Sequence, residues 1–141
     1  MDEFLKVIKE LKNKNNTFVA ELSNGKMFKA AGCNVEILLS KLKEDEEFFM
    51  DSMIGVKKLG KAGALLMVHA NVCGVYTTNI TNEAIEVLEY FAVEVEYENI
   101  VSTDNISNGS CKKDSTKKSY NESVKDIEDP MEAFEILNSL V

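Results

Sequence analysis

From residue 34 onward the chain switches its hydrophobic period repeatedly between helical and strand spacing, and this alternation most limits how it can fold. Asn34 can cap a helix that turns Val35, Leu38, Leu39 and Leu42 inward. After the acidic loop Glu44-Asp45-Glu46-Glu47, Phe48-Phe49-Met50 starts a buried strand. Gly60-Lys61-Ala62-Gly63 opens a helix that runs through Ala70 and is nearly all apolar after Lys61, so it has to be packed on most sides. Cys73 to Thr77 reads as a short buried strand, and Thr81 can cap a helix to Ala92 with Ala84, Ile85, Leu88 and Phe91 inward. Val93-Glu94-Val95-Glu96-Tyr97 alternates strictly, as a strand whose glutamates face solvent does.

Upstream, Asp2 can cap a first helix with Phe4, Leu5, Ile8 and Leu11 on one face. Thr17 to Leu22 and Lys26 to Ala30 flank the turn signal Ser23-Asn24-Gly25, which predicts a β-hairpin. Downstream, residues 102–123 are polar and poor in apolar side chains, which predicts a flexible loop or lid. Asp129-Pro130-Met131-Glu132 is a helix start, with proline in the first turn and Phe134, Ile136, Leu137 and Leu140 as anchors. Strands alternating with helices beside one hairpin predict a single α/β domain over residues 1–141, a three-layer α/β/α sandwich with a mixed sheet.

With 141 residues and 45% hydrophobic content, the chain is long enough for one substantial core. Its formal net charge of -8 repels phosphate backbones and anionic lipid, so neither nucleic acid nor a membrane is an expected partner. All the positive charge is lysine, and without arginine the bidentate contacts of base-specific DNA reading are missing. The first residues form an amphipathic helix pattern rather than a leader, and the longest apolar stretch, Ala62 to Ala70, is too short to span a bilayer, so a cytoplasmic protein is expected. Cys33, Cys73 and Cys111 are widely spaced and form no CxxC pair, which indicates neither a disulfide framework nor a zinc knuckle.

Hairpin, helix, strand, helix, strand, helix, strand is the order of the cytidine deaminase-like fold. More narrowly, Gly60-Lys61-Ala62-Gly63-Ala64-Leu65-Leu66, Val75-Tyr76, Ala84-Ile85-Glu86-Val87-Leu88 and Val93-Glu94-Val95-Glu96-Tyr97 resemble the family catalogued as domain of unknown function 1893, a zinc-free branch of that fold. The resemblance runs from the hairpin to the last helix. It implies the fold and leaves the reaction open, since the family has no established activity. The family pattern carries an Asp four residues before its Gly-Lys pair, where this chain has Val56; Asp51 can replace it only through a shifted loop. Its Cys-Pro-x-Glu segment is matched here by Cys111-Lys112-Lys113-Asp114, without the proline. The chain therefore reads as a divergent member, with a pseudoenzyme among its possible forms.

Zinc deaminases need His or Cys with Glu at one helix start and Pro-Cys-x-x-Cys at the next. The corresponding starts here, Gly60-Lys61-Ala62 and Thr78 to Asn82, carry no ligand, so no metal and no cofactor is expected. His69, the one histidine, falls late in the apolar helix and reads as a packing residue.

Lys61 is the leading site candidate. It stands in the first turn of a helix, just after Gly60, where free amides and the helix dipole favour an anion and disfavour a lysine. Its presence points to a bound anion or to an acidic partner such as Asp51; alternatively its stem simply covers apolar neighbours. Asn79 and Thr81 either cap the next helix or hydrogen-bond a ligand in the same pocket. Cys111, beside Lys112 and Lys113, is either an incidental thiol or a lid nucleophile with a lowered pKa. The reading these residues favour is a small-molecule binding module for an anionic or nucleotide-like ligand, with Gly60, Lys61, Asn79 and Thr81 at its site. The alternatives are a non-catalytic scaffold or homo-oligomer subunit, and a zinc-independent enzyme using Lys61, Asp51 and Cys111.

Overall fold

The structure, a computed structural model, describes residues 4–13, 15–102 and 120–140. Its elements are α1 (Leu5–Leu11), the hairpin β1 (Phe18–Glu21) and β2 (Met27–Ala30), α2 (Asn34–Glu44), β3 (Met53–Leu59), α3 (Lys61–His69), β4 (Gly74–Thr81), α4 (Asn82–Tyr90), β5 (Glu94–Val101), α5 (Tyr120–Ser123) and α6 (Pro130–Asn138). The described strands form one mixed sheet in the order β2-β1-β3-β4-β5. β1 lies antiparallel to both β2 and β3, whereas β3, β4 and β5 run parallel. The predicted hairpin forms: Gly25 takes φ +89°, which a glycine adopts without a Cβ penalty, and the Asn24 side chain accepts a hydrogen bond from the Lys26 amide at 2.9 Å.

Two apolar clusters sit on the sheet. The larger joins β1, β3 and β4 to α2, α3, α4 and α6, and it contains Phe18, Leu38, Phe49, Ile54, Val56, Leu65, Leu66 and Leu137. The smaller packs α1 on the other side through Phe4, Val7, Leu11, Val19 and Tyr76. α1 can approach β3 closely because Gly55 lies beneath it; a Cβ there would stand 3.3 Å from that of Val7. As predicted, α3 is buried on nearly every side, Lys61 included. Leu5, expected inward, is instead exposed, because Val7 and Leu11 set the buried face of α1.

Four expectations about local structure are corrected. Phe48-Phe49-Met50 is not a strand: successive turns run from Asp45 to Ser52, and Asp51 takes φ +62°, outside any strand conformation. β4 continues to Thr81 instead of ending at Thr77, so Asn79 lies on a strand and not at a helix start. Asn34 does not cap α2, whose N-cap is Cys33; its side-chain amide donates to the Lys58 carbonyl at 2.6 Å and so ties α2 to the end of β3. The last four residues of the predicted polar loop include the short helix α5, with Tyr120 buried and its hydroxyl donating to Glu36 at 2.9 Å. The rest of that loop, from 103 to 119, and the Asp2 cap lie outside the described residues.

Candidate functional site

The helix start that the sequence singles out is already occupied by the chain itself. The Ala62 amide, one of the free donors at the head of α3, donates to Asn121 Oδ1 at 2.9 Å. Asn121 packs so closely on Gly60 that a Cβ there would come within 2.6 Å of it. Lys61 is buried, and its ammonium donates to the Lys125 carbonyl at 2.8 Å and to Glu128 Oε2 at 3.2 Å. The negative companion of Lys61 is therefore Glu128 with a backbone carbonyl, and not Asp51. Asp51 lies before the start of β3, whereas Lys61 follows its end, and the seven residues of β3 itself span about 20 Å.

Lys61 does border a cleft, of about 730 Å³, but four carboxylates (Glu83, Glu86, Glu128 and Asp129) and two lysines line it. That balance disfavours an anion. Thr81 is the N-cap of α4, and its hydroxyl accepts from the Ala84 amide at 3.2 Å, which is the capping alternative of the sequence reading. Cys111 lies outside the described residues. Cys33 is buried and disulfide-bonded, against the expectation from cysteine spacing, while Cys73 is free and exposed. His69 stacks on Phe134 at 4.5 Å between ring centroids, a packing arrangement. Among the described residues no group of three or more His, Cys, Asp or Glu side chains is placed to hold a metal ion. No described helix is long and apolar enough to cross a membrane.

Asn79 leads to a different place. A cleft of about 530 Å³ opens at the carboxyl ends of the parallel strands, on the α1 side of the sheet. Ile8 and Leu11 of α1 form its apolar wall, and Tyr76, Thr78 and Asn79 line it from β4. Lys12, Lys57 and Lys58 bring three cations to it and Glu98 one carboxylate. Strand alternation alone would not put Lys57 and Lys58 together. On β3, Ile54 and Val56 face the larger core and so does Leu59; on β4, Val75 faces it and so does Ile80. Both strands thus break alternation at the same level while pairing stays in register, Val56 with Thr77 and Lys58 with Asn79. The break brings two neighbouring residues on each strand to one cleft.

The electrostatics of this cleft run against those of the whole chain. Among the described residues none of its three ammonium groups has an ion-pair partner. Among the described residues, three cations beside one carboxylate make a local positive potential on a protein of net charge -8. Tyr76 anchors the opposite wall. Its ring is buried 6.5 Å from that of Phe4, and its hydroxyl donates to Glu98 Oε2. Burial, then the hydrogen bond and charge of Glu98, push the Tyr76 pKa from 10.0 up to about 12. The folded state holds this proton more tightly than the unfolded chain, so the contribution is complete below pH 10 and is lost as pH rises toward 12. Urea unfolding across that window is expected to show a steeper loss of stability in the native sequence than in Tyr76→Phe; parallel profiles would refute the assignment.

The sequence reading missed Lys12, Lys57, Lys58, Tyr76, Thr78 and Glu98. One signal was present: Lys57-Lys58 sets two adjacent charges in an otherwise apolar strand, between Val56 and Leu59. A strand that keeps strict alternation would expose one of the pair and bury the other, so a charged doublet there marks a local irregularity.

Comparison with known proteins bears on the fold. Residues 6–141 match the family described as domain of unknown function DUF1893. The structure is similar to the crystal structure, at 2.70 Å, of a DUF1893 family protein from Thermotoga maritima, with a TM-score of 0.77 and 16% sequence identity over 99% of this chain and 90% of that one. No curated protein matches the chain.

Proposed function

The chain belongs to the DUF1893 family, and from its basic cleft we propose that it is a binding protein for a small anionic, nucleotide-like molecule. The observation that carries this reading is the convergence of Lys12, Lys57 and Lys58, all without ion-pair partners among the described residues, on one cleft of an acidic protein. Like charges brought together on a folded surface repel one another, and a bound anion relieves that repulsion. Position supports the same reading, because open α/β sheets bind ligands beyond the carboxyl ends of their parallel strands. The volume supports it too, lying within the range of about 300–1,000 Å³ that small-molecule sites occupy. Thr78 and Asn79 add neutral hydrogen-bonding groups beside the cations.

This reading keeps the ligand class expected from sequence and moves the site. Asn79 stays in it, whereas Gly60, Lys61 and Thr81 serve the fold. We read the architecture as a three-layer sandwich of the cytidine deaminase-like kind, supported by the element order and by apolar clusters on both sides of the sheet. In that frame the head of α3, where a deaminase holds catalytic groups, is filled by Asn121 and by the Lys61–Glu128 contact.

Thermal unfolding in the presence of inorganic phosphate, ribose 5-phosphate or adenosine monophosphate tests the reading. A ligand at a hundred times its dissociation constant adds about 2.7 kcal/mol to the native state. For a chain of this size that raises the melting temperature by several degrees. The doubly substituted variant Lys57→Ala/Lys58→Ala is expected to melt close to the native protein and to lose that rise. Absence of any rise in the native protein, or an equal rise in the variant, would sink the proposal.

A further inference from the structure

Resting on that reading, we infer that the ligand carries free hydroxyl groups as well as an anionic group, and that Glu98 recognises them. A carboxylate inside a site for a bare anion works against binding, since it repels the charge that the lysines attract. A ligand that also brings hydrogen-bond donors turns this repulsion into a contact, because an ionised carboxylate is solely an acceptor.

Glu98 is held for such a role. Its Oε2 accepts the Tyr76 hydroxyl, and Tyr76 is itself fixed in the core beneath α1 among Phe4, Val7 and Leu11. Oε1 makes no hydrogen bond to a described residue. Glu98, like most of β5, is exposed, and the contact with the buried Tyr76 is what gives its side chain a defined position. A tyrosine hydroxyl is protonated, and therefore able to donate, throughout the neutral range, and the raised pKa of Tyr76 extends that range upward.

The spacing selects the class of ligand. Lys57 and Lys58 stand on β3 and Glu98 on β5, with β4 between them. Two strand spacings amount to about 10 Å. Inorganic phosphate is too small to engage both sides. A phosphomonoester with hydroxyls several bonds from the phosphorus reaches both, its phosphate toward the lysines and its hydroxyls donating to Glu98. Phosphorylated sugars and nucleoside monophosphates with an intact ribose have this chemistry.

Isothermal titration of inorganic phosphate and of ribose 5-phosphate into native protein, Glu98→Ala and Lys57→Ala/Lys58→Ala tests the assignment. Ribose 5-phosphate is expected to bind the native protein more tightly than inorganic phosphate does. Glu98→Ala is expected to weaken ribose 5-phosphate by about ten- to a hundredfold, the loss typical of one hydrogen bond to a charged group. The same variant should leave inorganic phosphate unchanged or bound more tightly, because a repulsion is gone. The double lysine variant should lose both probes. Equal affinity of the native protein for the two probes, or equal weakening of both by Glu98→Ala, would overturn the hydroxyl assignment while leaving the anion cleft in place. Failure of both probes to bind the native protein would remove the cleft reading itself.

Discussion

Replacing Phe49 by alanine is expected to lower the unfolding free energy by about 3–5 kcal/mol, the range for an aromatic ring deleted from a close-packed core. Phe49 is fully buried although it sits in a run of turns. Its ring centroid lies 4.9 Å from Phe48, 5.6 Å from Phe18 and 5.9 Å from Phe28, so it joins the turn after α2 to both strands of the hairpin. Deletion leaves a void between elements far apart in sequence, and the backbone around it can collapse only partly. The Ser52 hydroxyl, donating to the Phe49 carbonyl at 2.6 Å, holds the turn in place and limits that relaxation. Phe48→Ala is expected to cost less, because Phe48 is only half buried. Urea unfolding followed by circular dichroism would measure both, and a Phe49→Ala loss below about 1 kcal/mol would show that the ring is not packed in this way.

Lys61→Ala is expected to destabilise the fold by about 1–3 kcal/mol without altering anion binding in the basic cleft. The magnitude follows from which contacts are protected. Lys61 is 8% exposed and donates to the Lys125 carbonyl, so its removal strips an acceptor of its partner and leaves space where the stem packed. Glu128 contributes little, because its side chain is 83% exposed and its ion pair is screened by water. Glu128→Gln should therefore change stability by less than about 1 kcal/mol. Lys61→Met, which keeps much of the stem, should fall between the two. Thermal and urea unfolding of the three variants separates these contributions. A Glu128→Gln effect as large as that of Lys61→Ala would show that the ion pair, and not the buried hydrogen bond, holds the α5–α6 segment over the head of α3. Loss of phosphate binding on Lys61→Ala would return the ligand to the site first suspected.

The contrast between Lys61 and Lys57-Lys58 shows how far local pattern reaches. Gly60-Lys61-Ala62-Gly63 is a buried helix start, as its apolar composition requires, since α3 has to be wrapped on most sides. The acidic partner that Lys61 calls for is Glu128 and not Asp51, and the groups that satisfy this helix start, Asn121, Lys125 and Glu128, lie about sixty residues downstream. A helix start with free amides draws a partner from whatever the fold brings to it, and sequence spacing holds no trace of that partner. Asn79 stands on a strand and not at a helix start, and it nevertheless lines a cleft, because β4 runs on and breaks its alternation there.

Much of the architecture was decided by the chain's own periodicity. The hairpin turn at Asn24-Gly25, the amphipathic α2 and α4, the helix opened by Pro130 and the apolar α3 all follow from local backbone preference and from which side chains avoid water. Those are properties of neighbouring residues, so a sequence displays them. The choice of Phe49 as a core residue within a turn, the capping of α3 by Asn121 and the gathering of Lys12, Lys57, Lys58 and Glu98 around one cleft came only with tertiary structure. Each joins residues that are distant along the chain. Burial and charge are balanced over the whole folded surface, and only a specific packing of helices on a twisted sheet determines which distant groups must share a space.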